Sequence, residues 1–95
     1  MSAYIGSPWK AGTTQVKAYT TSAAIDNAVG SQTRVVRVVT TTAAHIAFGA
    51  APTATTSDVY MPAGVAEYFA ITPGEKIAAV QVASGGNLHV TEMTR

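Results

Sequence analysis

Cysteine is absent from this 95-residue chain, leucine occurs once (Leu88), and charged residues make up only 12%. Each shortage removes a class of protein. Without cysteine there is no disulfide scaffold, no thiolate metal site and no cysteine nucleophile, and cysteine usage gives no reading of redox compartment. The charged fraction is about half the roughly 25% of an ordinary globular domain. Six Lys and Arg residues, spread from Lys10 to Arg95, stand against five carboxylates, for a net charge of +1. That is no electrostatic footprint for nucleic acid or an anionic membrane, and neither is an expected partner. No apolar run approaches the roughly 20 residues that cross a bilayer. Met1 to Lys10 lacks both a basic n-region and an apolar h-region, so the expectation is a chain kept outside the secretory pathway.

What is present is β-branched. Eleven valines, five isoleucines and fourteen threonines give thirty such residues, and alanine supplies eighteen more. Valine, isoleucine and threonine are stiff at χ1 and fit a pleated surface better than a helix. The length allows one domain. The expected fold is all-β: a small sandwich or barrel of seven or eight short antiparallel strands. Many of its apolar residues are alanines, so its core is thin. With neither disulfides nor metal ligands to reinforce it, association with other subunits is the remaining support.

Along the chain, residues 1–14 carry Gly6, Pro8 and Gly12 around Tyr4, Ile5 and Trp9, and read as an irregular arm or a short edge strand. Residues 15–95 read as the single β domain. Gln15–Thr20 alternates like a strand. Thr21–Val29 fits either a short helix or a bent extended segment, with the extended form favoured because nine residues make a weak helix. Thr33–Thr40 places Val36 and Val38 on one face and Val35, Arg37 and Val39 on the other, the pattern of a central strand. His45–Gly49 points Ile46 and Phe48 inward. A Pro-containing loop over residues 50–57 precedes a short strand at Asp58–Met61, which ends at the Met61-Pro62-Ala63-Gly64 turn. Three further strands, Ala66–Thr72, Lys76–Ser84 and Asn87–Thr94, are joined by Thr72-Pro73-Gly74-Glu75 and Ser84-Gly85-Gly86-Asn87. They are expected to form a closing β-meander whose core is Phe69, Ile71, Ile77, Val80, Val82, Leu88 and Val90. Ile77 and Val80 fall on opposite faces, which requires either two covered faces or a bulge.

Catalytic chemistry needs convergent polar groups, and the supply is small. A His45, Asp58 and Ser57 set can be assembled on paper, but neighbouring Ser57 and Asp58 point opposite ways when extended. His45, His89 and a carboxylate could meet across two strands, but without any diagnostic ligand spacing. Glu67 and Glu92 could be strand neighbours, with nothing to mark them as an acid pair. Gly85-Gly86 precedes a strand, so it offers no helix N-terminus to an anion. Arg34 and Arg37, three apart on a strand, face opposite sides. Neither an enzymatic activity nor a cofactor or metal is expected. Tyr4, Ile5 and Trp9 are the candidate partner-contact residues, given the enrichment of aromatics at interfaces. Tyr4, Trp9 or Tyr19 could instead form a stacking platform for a sugar.

Residues 34–94 carry a resemblance. Arg34-Val35-Val36-Arg37-Val38-Val39, His45-Ile46-Ala47-Phe48-Gly49, Pro52-Thr53-Ala54, Met61-Pro62-Ala63-Gly64, Glu67-Tyr68-Phe69, Pro73-Gly74 and Asn87-Leu88-His89-Val90-Thr91-Glu92 together resemble small virion structural proteins of tailed bacteriophages. The likeness spans about two-thirds of the chain and leaves residues 1–33 uncovered. It implies a β-sandwich module made in the host cytoplasm and carried on the virion. The implied role is a capsid decoration or cement subunit that binds across junctions of the major capsid protein and associates with itself, as a trimer. A head–tail connector or tail accessory subunit is the alternative role, and a small carbohydrate-binding module a further one. The family type brings no catalytic residues to transfer.

Overall fold

The computed structural model describes residues 9–94, which form eight strands and no helix. They are β1 (Lys10–Tyr19), β2 (Ala23–Ala24), β3 (Val35–Thr40), β4 (Ala44–Gly49), β5 (Val59–Met61), β6 (Glu67–Ala70), β7 (Lys76–Gln81) and β8 (Gly86–Thr94). Two four-stranded antiparallel sheets stack as a β-sandwich. Sheet A has the order β1-β8-β3-β6 and sheet B the order β2-β7-β4-β5. No helix among the described residues is long and apolar enough to cross a membrane.

The core lies where alternation sends the β-branched residues. Val36, Val38, Leu88 and Val90 from the two central strands of sheet A are fully buried or nearly so, and they face Ile46, Ile77, Ala79 and Met61 of sheet B. Ile25, Val29 and Ile71, from the connections between sheets, fill the ends. Phe48 of β4 and Phe69 of β6 meet across the sandwich with ring centroids 5.3 Å apart. Each is only partly buried and packs against the core from its margin.

Residues 21–29 take the extended alternative. Ala23 and Ala24 pair with β7, and Ile25 N–H and Val29 N–H continue along it by donating to the carbonyls of Ile77 and Glu75. Strand β1 begins at Lys10, so residues 10–14 take the edge-strand alternative and form the first half of β1. An irregularity between Ala11 and Thr14 shifts the β1–β8 register by one residue. Gly12 sits in it, where an added Cβ would lie 3.2 Å from the Glu92 carbonyl oxygen.

The closing strands occur where expected, but they are not a meander. β6 pairs with β3, β7 lies between β2 and β4, and β8 lies between β1 and β3. Every connection except β4–β5 crosses from one sheet to the other. Turn residues report where the chain reverses and say nothing about whether the next strand pairs in the same plane. The two turns illustrate this. Gly74, at φ 92°, supplies the left-handed residue that lets Thr72–Glu75 arch over to sheet B. Gly85 and Gly86 are instead small for packing. A Cβ on Gly86 would lie 2.5 Å from Thr42 Oγ1 and 2.9 Å from Tyr19 Oη, and one on Gly85 2.8 Å from the Tyr19 carbonyl oxygen. A tight hairpin there is corrected to an arch pressed against β1.

The core expected from the last third is corrected in part. Ile71, Ile77, Leu88 and Val90 are buried, Phe69 and Val80 are half-buried, and Val82 is 49% exposed. Val82 lies beyond the end of β7, where the chain is leaving sheet B. Ala78, between Ile77 and Ala79, is fully buried even though it points away from the core. Both faces of β7 are therefore covered, the first of the two options that Ile77 and Val80 allowed.

Candidate interaction surface

The polar residues weighed from sequence are kept apart by the sandwich. His45 projects from the outward face of sheet B and His89 from the outward face of sheet A, on opposite sides of the molecule. His45 Nδ1 lies 3.0 Å from the carbonyl oxygen of Asp58, and its ring meets Tyr60 edge-on at 5.5 Å. A nitrogen bonded to a carbonyl must carry the proton, so this contact fixes the Nδ1–H tautomer. The Asp58 carboxylate is turned to its own loop, accepting from Thr55 N–H at 2.8 Å and Thr55 Oγ1 at 3.2 Å. It does not orient His45, and Ser57 stands exposed beside it. Glu67 and Glu92 are not neighbours, because β3 runs between β6 and β8. Glu92 is also engaged: its Oε1 accepts from Gly30 N–H at 3.0 Å and from the Thr33 hydroxyl. No group of three or more His, Asp or Glu side chains among the described residues could hold a metal ion.

Tyr19 is corrected as a ligand platform. It is 2% exposed, and its hydroxyl donates to the Thr42 carbonyl at 2.7 Å while lying 2.8 Å from Thr42 Oγ1. The alternation of β1 turns Tyr19 inward, and the buried hydroxyl is satisfied by the β3–β4 connection. Tyr4 and Ile5 lie outside the described residues. Trp9 is 41% exposed and, with Gln32, Arg34 and Thr94, lines a surface groove of about 640 Å³. Arg34 and Arg37 are separated as expected: Arg34 stands at this groove just before β3, while Arg37 projects from the outward face of the strand.

What the sequence reading missed is a surface. On the outward side of sheet A, the register places Val16 beside His89 and His89 beside Val39. The next row runs Thr14, Thr91, Arg37 and Tyr68, with Thr14 and Thr91 hydroxyls 2.9 Å apart. A third brings Met93, Val35 and Ala70 together. Val16 is 54% and Tyr68 58% exposed. Among the described residues the face carries no carboxylate, since Glu92 and Glu67 belong to the opposite alternation of β8 and β6. The sequence held a signal for it in the valines on both sides of β3. That pattern marks a strand flanked on both edges, but it also supplies the apolar residues of the outer face.

The outward side of sheet B is treated differently. Loop 50–58 leaves β4 and reaches Ser22 beside β2, where Ala54 N–H donates to Ser22 Oγ at 2.8 Å. Ala54 is 4% exposed, and Ala78 on the outward side of β7 is fully buried. This loop straps part of the face. Electrostatics add one feature, at the β1–β2 edge: Lys17 Nζ and Asp26 Oδ1 form an ion pair at 2.9 Å. The hydrogen bond from Lys17, then its charge, holds the exposed Asp26 carboxyl below the ordinary carboxylate range. Set beside known proteins, the chain matches no family model, no curated protein and no solved structure.

Proposed function

We propose that this chain is a non-enzymatic structural subunit of a bacteriophage virion, acting as a capsid decoration or cement protein. The observation that carries the reading is the destination of the resembling residues. Val35–Val39, His45–Gly49, Glu67–Phe69 and Asn87–Glu92 fall on β3, β4, β6 and β8 and build a compact sandwich with large apolar side chains left on its outer faces. A rigid module with exposed apolar side chains on a weakly charged face is suited to binding another protein surface.

Its action would be thermodynamic. A subunit that binds only the assembled shell opposes disassembly by RT ln(1 + [L]/Kd), where L is the free subunit. Many copies on one lattice, or an oligomer engaging several capsid subunits at once, raise the effective affinity without new contacts. Quantitative mass spectrometry of purified particles tests the reading. Hundreds of copies on the shell support decoration. A dozen or fewer at one vertex replace it with the connector role, and absence from particles removes the virion reading altogether.

A further inference from the structure

Arg37 stands on the outward face of sheet A in an unusual setting. It is half-buried, directly opposite Tyr68 on β6 and Thr91 on β8, on a face with no carboxylate among the described residues. The single ion pair among the described residues, Lys17–Asp26, lies elsewhere. Around Arg37, Val16 and Tyr68 are each more than half exposed and Val35, Val39 and His89 half-buried, while Thr91 and Met93 are buried.

We propose that the outward face of sheet A is the docking surface for a partner protein that presents an apolar patch with an Asp or Glu carboxylate set against Arg37. The proposal rests on the virion reading, in which the partner is a subunit of the shell, and it names the face and the chemistry of the contact. Composition argues for a protein partner. Arg and Tyr are enriched, and Lys, Glu and Asp depleted, in the cores of protein interfaces and among the residues that carry their binding energy. Charge then specifies the partner. Covering Arg37 with an apolar surface alone would strip its water without compensation, whereas a carboxylate can accept two parallel hydrogen bonds from the guanidinium. Charge also argues against a second copy of the chain packed face to face, which would bring two Arg37 side chains together and no acid. On sheet B, the 50–58 loop already occupies part of the corresponding surface.

The test is cosedimentation of the purified protein with particles from a phage strain lacking the gene for this chain. Circular dichroism of each variant establishes that it is folded. Wild type is expected to bind. Arg37→Glu should weaken binding by at least about thirtyfold, as expected when one partner of a desolvated charge pair is lost. Arg37→Lys, which keeps the charge but loses the paired hydrogen bonds, should bind more weakly than wild type and more tightly than Arg37→Glu. Val82→Asp, away from this face, should bind like wild type. If Arg37→Glu fails to fold, the Val16→Asp/Tyr68→Asp double variant carries the same expectation. Wild-type binding that survives these substitutions overturns the docking face while leaving the virion reading intact. Absence of wild-type binding overturns both. A wild-type dimer in solution that Val16→Asp dissociates gives the face to a second copy, and overturns the partner proposed here.

Discussion

Sheets A and B have four antiparallel strands each and share one core, and each leaves an exposed tyrosine on its outer face, Tyr68 on A and Tyr60 on B. Yet only sheet B has a loop of the chain drawn to its edge strand. Sheet B is narrow in reach, with strands of two, six, three and six residues, and the chain folds its own 50–58 loop against that face. Sheet A contains the two longest strands, of ten and nine residues, and leaves Val16 and Tyr68 open. The comparison teaches that an apolar outer face has two solutions in a small sandwich. The chain can spend a loop on it, or leave it for another molecule. Only the second solution makes a candidate site.

The largest effect should come from the core that both sheets share. Leu88, on central strand β8, is fully buried against β1 and β3, so Leu88→Ala removes a side chain that no solvent can replace. Urea denaturation should record a loss of about 2–5 kcal/mol. Phe69→Ala, at the half-buried margin, should cost less than Leu88→Ala. A larger loss would show that the Phe48–Phe69 contact, not the valine–leucine centre, holds the sheets together.

Next comes the arch that carries the chain from sheet B to sheet A. Gly86→Ala would put a Cβ within 2.5–2.9 Å of Thr42, Thr41 and Tyr19, whose hydroxyls are already committed to one another or to the backbone. Relief requires breaking those bonds or shifting β8, and a loss of about 1–3 kcal/mol is expected. Unchanged stability would mean that the arch is loose and that Tyr19 does not anchor it.

How far the sequence foretold this follows from what each residue pattern encodes. Alternation along Thr33–Thr40 and His45–Gly49 reports which residues share a face, and there Val36, Val38 and Ile46 went inward as read. Pro73-Gly74 and Gly64 report reversals, and those occurred. Strand pairing is a long-range property with no local signature, so three consecutive strands whose turns predict a meander each join the opposite sheet from the one before. Gly85-Gly86 misled for a related reason: glycine can be selected for freedom of φ or for lack of a Cβ, and the second depends on Tyr19 and Thr42, distant in sequence. The outer face of sheet A was legible only as scattered valines, because β1, β3, β6 and β8 assemble it from four separate segments.

Two mid-sized changes follow, one in the shared core and one at the loop of sheet B. Thr40 is fully buried at the end of β3, and its hydroxyl has no hydrogen-bond partner. Thr40→Val keeps the shape and removes the buried polar group, so a gain of about 1 kcal/mol in the urea midpoint analysis is expected. On sheet B, Ser22→Ala removes the hydroxyl that accepts from Ala54 N–H. The loss should be about 0.5–1.5 kcal/mol, with hydrogen exchange at the Ala54 amide accelerating far more than in the core. If that amide stays protected, the loop is held by packing on β7 alone.

The smallest effect is expected at the edge where the two sheets approach through β1 and β2. Lys17 and Asp26 form the ion pair there, and the Asp26 side chain is 75% exposed. Exposed pairs of this kind contribute little, since water and salt screen the attraction and ordering two side chains costs entropy. The sign of its pH dependence is nevertheless fixed. Lys17 depresses the folded-state pKa of Asp26, so the folded chain releases the proton more readily than the unfolded chain does. The pair's contribution is therefore present above the unfolded value of about 3.9 and lost as the pH falls through the lower folded value. Asp26→Asn should leave the urea midpoint at pH 7 unchanged within error and should slightly reduce the steepness of acid destabilisation below pH 4. A clear loss at pH 7 would show that this edge holds β1 to sheet B by its charges, making the sandwich depend on a seam that its burial pattern assigns to Ile25 and Tyr19.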